Sequence, residues 1–364
     1  MGRRIRGRDR SDEHRAVLAE LVEMAQENDV DLTVVAGDIF DTASPSPMAE
    51  RIAWRALIDL AEVSPVAVIA GNHDSAARLD AVAPLLAIGQ ITMVGTPRSP
   101  EGGGVVFLED LGAKVAMLPF VSQRGIVKAE DIMESDPDQH AGAYEERLRR
   151  VVERLAAGMD STTVNVLVSH LTVYGALAGG GERQAHIFGY AVPSSLFPSH
   201  LSYVALGHLH RQQKMPHSSA VWYSGSPLQL DFGEVADQKG ALLIDAQPGL
   251  PSTVTAAPLS GGRKLATIRG TLEEVIAIAD QYLGVYTKVE LTEKARVGLA
   301  DEVRAVLPDA VEVVLESEEP EKRAADRRRG LDPNEAFSQY LAERGSHDER
   351  VASLFSDLMS EVTT

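Results

Sequence analysis

The sequence predicts an α/β chain folded as an α/β/β/α sandwich, and three observations carry that expectation. Helical stripes and short apolar runs alternate through the first hundred residues, the rhythm of a layered α/β sheet. Farther on the chain turns β-rich, so two β-rich halves face each other. Four apolar runs each end in Gly or Ser followed by metal-capable side chains, at Leu32–Asp38, Val66–Asp74, Val164–His170 and Tyr203–His210. A short β-prone run stopped by Gly or Ser reads as a buried strand entering a turn. In layered sheets, ligands collect at the carboxyl ends of the strands.

Residues 1–10 form a basic, glycine-punctuated segment. Ser11 can cap a helix to about Asn28, with Val17, Leu18, Leu21, Val22 and Ala25 as its inward stripe. Strand Leu32–Ala36 enters a turn holding Asp38 and Asp41, and Pro45 and Pro47 open a second helix to about Ala61. Strand Val66–Ala70 delivers the Gly71-Asn72-His73-Asp74 turn. Gly102-Gly103-Gly104 reads as a hairpin tip, Val115–Leu118 as a core strand and 140–157 as a helix. The strand ending at His170 precedes a glycine-rich loop, Gly179–Arg183, and strands near 203–206, 221–224 and 240–245 complete this part.

Pro258 to Arg263 reads as a linker, which makes 1–257 the first domain. Residues 264–317 form a small βαββαβ-like unit with strands at Leu265–Arg269, Tyr286–Leu291 and Val311–Leu315. Thr271 and Glu274 make a capping box for its first helix. Residues 318–332 are a charged, solvated linker, and 333–364 are a C-terminal helical tail. In the tail Phe337, Tyr340 and Leu341 form one stripe; Val351, Leu354, Phe355, Leu358 and Met359 form another. Two short amphipathic helices beyond a polar tether either dock back or bind a partner.

At 364 residues the chain exceeds what one hydrophobic core usually serves. Its 44% hydrophobic and 24% charged residues are those of an ordinary globular protein. No apolar run approaches a membrane span, so no membrane partner is expected. The start, Met1–Arg8, is basic without an apolar stretch after it; it is no signal peptide, and a cytoplasmic address is expected. Zero cysteines exclude disulfides and thiolate sites, so any metal is held by N and O ligands. The net charge of -18 argues against a generally basic nucleic-acid binder. It does not exclude one, because bound cations invert the local sign and five arginines lie within residues 3–10.

Asp38 follows a glycine that lets the chain turn and exposes the carboxylate. Such a group can bridge two divalent ions or simply stabilise a turn. Asn72 offers a neutral carbonyl oxygen, a hard ligand suited to Mn or Mg. His73, its backbone neighbour, cannot easily address the same ion and suits proton donation to a leaving alkoxide. Asp74 could orient that imidazole or stabilise the turn. His170 ends its strand, where a core histidine is the alternative to a ligand. His208 and His210, at i and i+2, share one side of an extended segment and could address one metal or two adjacent ones. His14, His140, His186, His200, His217 and His347 read as surface residues. No nucleotide-binding glycine loop, serine elbow or cysteine site appears.

Together Asp38, Asn72-His73-Asp74, His170 and His208-x-His210 resemble the calcineurin-like metallophosphoesterases, which hydrolyse phosphate esters with two metals, commonly Mn. Around them, Gly37–Thr42, Ala70–Asp74, Leu118-Pro119-Phe120, Ala205–His210 and Tyr223–Pro227 are similar to SbcD, the bacterial counterpart of the Mre11 nuclease. The similarity runs over nearly the whole chain. It implies a metallophosphoesterase-type sandwich with a cap domain at 264–317. It also implies that Asp38 bridges both metals, that Asn72, His170 and His208 complete one, and that His210 belongs to the other. His73 would be the proton donor. The tail, through Phe337, Tyr340, Leu341, Leu354, Phe355 and Leu358, would bind an SbcC/Rad50-type ATPase, and helices of the first hundred residues would make a homodimer contact. The implied activity is that of a nuclease subunit hydrolysing DNA phosphodiester bonds in repair, recombination and replication. It would be an exonuclease on duplex and an endonuclease on single strands. Arg3, Arg6 and Arg8 are candidate phosphate contacts, or a solvated basic segment.

One feature departs from that family. Its members open with a strand ending Asp-x-His, two ligands of the first metal, just before a Gly-Arg segment. This chain opens Met1-Gly2-Arg3-Arg4, so about ten residues of that pattern, one strand and its turn, are absent. The expectation is one complete metal site at Asn72, half of a second, and little nuclease activity. Two other readings stay open. One is a metallophosphoesterase acting on small molecules or phosphoproteins, against which the cap and tail argue. The other is a truncated, inactive scaffold that still dimerises and binds the ATPase.

Overall fold

Successive side chains of a strand point to opposite faces of its sheet, and here both faces are covered. A parallel sheet of β1 (Thr33–Val35), β2 (Val66–Ile69) and β3 (Ile91–Val94) lies beside helices α1 (Ser11–Glu27), α2 (Pro47–Ala61) and α3 (Ala76–Leu86). On β2, Val66 and Val68 face the helices and pack with Leu57, Leu60 and Leu79. The alternate residues, Ala67 and Ile69, face a second sheet and pack with Val115, Met117, Val166 and Val168. Val68 and Ile69 are both fully buried, each side chain contributing about 1.5–3 kcal/mol. The computed structural model describes residues 1–122, 125–126, 144–180 and 191–315, with Phe337, Leu341, Arg350, Val351, Leu354 and Phe355 farther on.

The second sheet contains β4 (Val105–Leu108), β5 (Ala113–Leu118) and β6 (Val164–His170). A short parallel pair, β7 (Thr172–Val173) and β8 (Ala191–Val192), stands apart from it. It continues with β9 (Tyr203–Gly207), β10 (Gln213–Lys214) and β11 (Ala220–Tyr223), in the order β10-β11-β9-β6-β5-β4. Its outer face carries α4 (Tyr144–Ala156), which buries Leu148, Val151, Val152 and Leu155 against β5. Helices, sheet, sheet and helix thus give the expected α/β/β/α sandwich.

Two local expectations are corrected. Gly102-Gly103-Gly104 is not a hairpin tip: β3 pairs with β2, and the glycines form a helical turn between the two sheets. The hairpin that follows joins β4 to β5 and turns at Glu109–Gly112. Nor does Ser11 cap α1, because its own N–H donates to Asp9 Oδ1 at 2.9 Å and Arg10 occupies the cap position. Ser46 does cap α2, accepting from the Ala49 N–H at 3.2 Å.

An antiparallel pair, β12 (Gly240–Asp245) and β13 (Thr253–Pro258), closes the sandwich domain. The linker after it lies against α1. Glu20 Oε2 accepts from the N–H groups of Ser260 at 2.9 Å and Gly261 at 2.7 Å, and Glu13 Oε2 accepts from Arg263 N–H at 3.0 Å. The cap has β14 (Leu265–Gly270), α5 (Leu272–Ile278), β15 (Tyr286–Leu291), α6 (Leu299–Val306) and β16 (Ala310–Leu315), its strands all parallel. The Thr271–Glu274 capping box forms as expected. Among the described residues the cap is therefore βαβαβ rather than βαββαβ. A helix stands between β15 and β16 because Leu299 and Val303, four apart, point into one core with Val275 and Val289.

The chain divides into two units, Met1–Glu182 with Tyr190–Leu315, and Arg183–Gly189 with Glu316–Thr364. In the second, Phe337 and Phe355 are helical and their rings stack with centroids 3.9 Å apart, joining the two tail stripes. Leu341 and Leu354 are also helical; Tyr340 and Leu358 lie outside the described residues, as does the linker 318–332. No helix among the described residues is long and apolar enough to cross a membrane.

Candidate metal centre

β1 and β2 run parallel with Val35 opposite Val68, so the chain leaves both strands at one level and brings Asp38 beside Gly71. Asp38 sits in the left-handed region at φ 53°, and its Oδ1 accepts the His73 backbone N–H at 3.0 Å. His170 ends β6 on the same face as Val166 and Val168, which point between the sheets. Its imidazole is therefore delivered to the carboxyl end of the inter-sheet core, where it is 1% exposed. Gly207 on β9 is its neighbour in register. A Cβ there would stand 1.8 Å from the Ala36 carbonyl oxygen, so the two sheets can close at this point only over glycine.

Four side chains from four strand ends meet here. Asn72 Oδ1 lies 3.0 Å from His170 Nε2 and 2.9 Å from His208 Nδ1. Asp38 Oδ2 lies 3.3 Å from His170 Nε2. Ligand atoms of Asp38, His170 and His208 all fall within 4.8 Å of one another. His170 Nδ1–H donates to the Ala36 carbonyl at 2.8 Å, which makes Nε2 the lone-pair nitrogen of the neutral ring. That lone pair faces two oxygens that are also acceptors. Such a set needs a positive charge among it, either a proton on Nε2 or a divalent cation, which hard N and O donors fit. The same geometry governs the ionisation. Burial opposes charge on both groups, but each outweighs it for the other: His170 holds the Asp38 carboxyl well below the ordinary range, and Asp38 raises the His170 imidazole.

His73 is exposed, with Nδ1–H donating to the Asp41 carbonyl at 2.9 Å. Asp74 does not orient it. Its carboxylate accepts three backbone N–H groups, Gly71 at 2.8 Å, Phe40 at 2.9 Å and Ile39 at 3.2 Å, and so ties the Asn72 turn to the Asp38 turn. His210 Nδ1–H donates to Glu234 Oε1 at 2.7 Å. Glu234 is fully buried, and its other oxygen accepts from Lys239 Nζ at 2.8 Å.

The family model of the calcineurin-like phosphoesterases matches residues 11–212, and a model described as the type 5 capsule protein repressor C-terminal domain matches 262–344. The chain is 31% identical over 294 residues to the SbcD subunit of nuclease SbcCD from Bacillus subtilis, covering 77% of this chain and 73% of that one. It is 33% identical over 300 residues to the same subunit from Rhodobacter capsulatus, with shares of 77% and 73%. The chain belongs to the calcineurin-like phosphoesterases, in their SbcD branch. With the counterpart from Escherichia coli K12 the identity is 29% over 295 residues, covering 78% and 72%.

In this SbcD-type chain the basic start is engaged by the fold. Arg3 reaches Asp41 Oδ1 at 3.2 Å, beside the His73 anchor, whereas Arg6 pairs with Glu312 at 2.7 Å and Arg8 donates to the Pro308 carbonyl at 3.3 Å, both in the cap. His14, expected at the surface, is 5% exposed. His217 is half-buried between the Phe197 carbonyl and the Ser219 N–H; His200 is exposed. His140, His186 and His347 lie outside the described residues. Sequence reasoning missed Glu234. Its signal was faint: an acidic residue closing Asp231-Phe232-Gly233-Glu234, with nothing in the spacing to aim it at His210.

Proposed function

We propose that this chain is the nuclease subunit of an SbcCD-type complex, hydrolysing DNA phosphodiester bonds at a centre for two divalent cations, Mn or in its place Mg. The convergence of Asp38, Asn72, His170 and His208, four hard donors from separate strand ends, carries this reading. Asp38 would serve both cations, Asn72, His170 and His208 would complete one position, and His210 would supply one ligand of the other, half-made position. Bound cations would neutralise the phosphate and make an attacking water more acidic.

The chain's own groups do the rest. With Nδ1–H given to the Asp41 carbonyl, His73 keeps Nε2 as the position that carries the exchanging proton, and its exposure suits delivery to a departing sugar oxygen. Arg3, fixed beside that anchor by Asp41, is the arginine best placed to meet a phosphate. Arg6 and Arg8 would contact DNA only by leaving the cap. Ile58 on α2, Leu85 on α3 and Ile88 just beyond it are 41%, 70% and 85% exposed, and apolar surface of this kind supports a homodimer contact. The tail stripes around Phe337, Tyr340, Leu341, Leu354, Phe355 and Leu358 are the surface for an SbcC-type ATPase. A cytoplasmic role in repair, recombination and replication follows from that partnership.

The test compares substrates. Purified chain with Mn is assayed on duplex DNA, single-stranded DNA, a cyclic nucleotide and a phosphopeptide. The expected result is Mn binding with weak Mn-dependent cleavage of DNA alone, at the low level that half of the second metal site allows, and His73→Ala should abolish that cleavage while leaving Mn affinity unchanged. Cyclic-nucleotide or phosphopeptide hydrolysis without DNA cleavage would contradict the reading.

A further inference from the structure

The only fully buried carboxylate among the described residues, Glu234, is spent on a histidine. Its Oε1 takes the His210 Nδ1–H at 2.7 Å, a short, charge-assisted bond. Its Oε2 takes Lys239 Nζ at 2.8 Å and the Leu230 N–H at 2.9 Å. Lys239 Nζ also donates to the backbone carbonyl of His210 at 2.9 Å, so the ion pair grips His210 by ring and by main chain. The loop that carries Glu234 is itself fixed. Gln229 Nε2 donates to the carbonyls of Glu234 and Val235, each at 3.0 Å, while Gln229 Oε1 accepts the Leu265 N–H of the cap at 2.7 Å.

A buried ion pair is weak evidence of a stabilising role, because apolar residues of the same volume often serve as well. What this pair supplies that apolar residues would not is a direction for one proton. We propose that Glu234, backed by Lys239, is a positioning residue that locks His210 in its Nδ1–H tautomer and so reserves the Nε2 lone pair for a divalent cation. This carboxylate–histidine arrangement fixes the orientation of a ligand and raises its basicity. The proposal rests on the reading of His210 as a ligand given above.

The test uses the full chain labelled with ¹⁵N and free of metal, and reads the His210 tautomer from long-range ¹H–¹⁵N spectra, assigned with His210→Gln. The wild type is expected to be protonated at Nδ1. Replacing the pair by Glu234→Leu with Lys239→Met leaves no unpaired buried charge; it should release the ring to a mixture of tautomers and weaken His210-dependent Mn binding about 10–100-fold. Glu234→Gln with Lys239→Met keeps an acceptor oxygen and should restore the Nδ1–H form. An Nε2-protonated His210 in the wild type, which needs no variant to observe, would overturn the proposal. So would an unchanged tautomer in the apolar pair. Unchanged Mn affinity in His210→Gln would instead remove the ligand reading and leave the tautomer result standing.

Discussion

Gly71 stands so close to Asp38 that a Cβ placed on it would lie 2.1 Å from the carboxylate Oδ1 and 2.3 Å from the backbone nitrogen. The glycine cannot retreat, because its N–H is held by Asp74 Oδ2 at 2.8 Å. Gly71→Ala should therefore push Asp38 out of the centre. The expected cost is about 1–3 kcal/mol of stability, as for other overpacked positions, together with at least a tenfold loss of Mn affinity. Thermal unfolding and calorimetric titration measure the two effects.

Asp74 is the clamp between the two turns, and its removal should be felt in folding before catalysis. Asp74→Ala leaves the N–H groups of Gly71, Ile39 and Phe40 without their acceptor in a buried site. A loss of about 2–4 kcal/mol is expected in urea unfolding. Asp74→Asn, which keeps one acceptor oxygen, should lose less.

His14 gives the protein a defined acid sensitivity. Burial, aided by the positive Met1 amino terminus and Arg10, pushes its imidazole from 6.5 down to about 4. The folded value lies below the unfolded one, so folding favours the neutral ring. That contribution is complete above pH 6.5 and is lost as the pH falls toward 4, amounting to about 3 kcal/mol. His14→Gln should flatten the stability–pH curve across this window, as read by thermal unfolding at a series of pH values.

Arg10 joins the sandwich to the cap. Its side chain is fully buried, donates to both oxygens of Glu13 at 3.1 and 2.6 Å, and lies 5.8 Å from the centre of the Tyr286 ring of β15. Arg10→Ala strands a buried carboxylate and should cost about 3–5 kcal/mol. Because Glu13 also holds the Arg263 N–H, the linker should become open to proteolysis, which limited digestion followed by mass spectrometry would locate.

The convergence of Asp38, Asn72, His170 and His208 was legible in the sequence because its geometry is local to each strand end. An apolar run fixes the strand, a glycine permits close approach, and the next residue must emerge at the sheet's edge. Asp38, Asn72 and His208 each follow a glycine in this way, and His170 follows a serine at the end of its strand. Residues placed by the return of distant chain were not legible. Glu234 meets His210 only because a loop folds back on it, and Glu13 on α1 meets the Arg263 N–H from 250 residues away. Gly102–Gly104 misled for a related reason: glycines mark a turn without saying which strands it joins, and here the pairing partner of β3 lay behind it rather than ahead. In the cap, the βαββαβ-like order gave way to βαβαβ because Leu299 and Val303 share a core with Val275 and Val289.

Everything proposed for catalysis depends on Asp38, Asn72, His170 and His208 forming a divalent-cation centre. Calorimetric titration of Mn into the wild type and into His170→Ala, read beside thermal unfolding to confirm a folded variant, tests it most directly. The wild type should bind Mn, and a folded His170→Ala should bind it at least a hundredfold more weakly. Equal Mn affinity in the two proteins would contradict a cation centre at these residues.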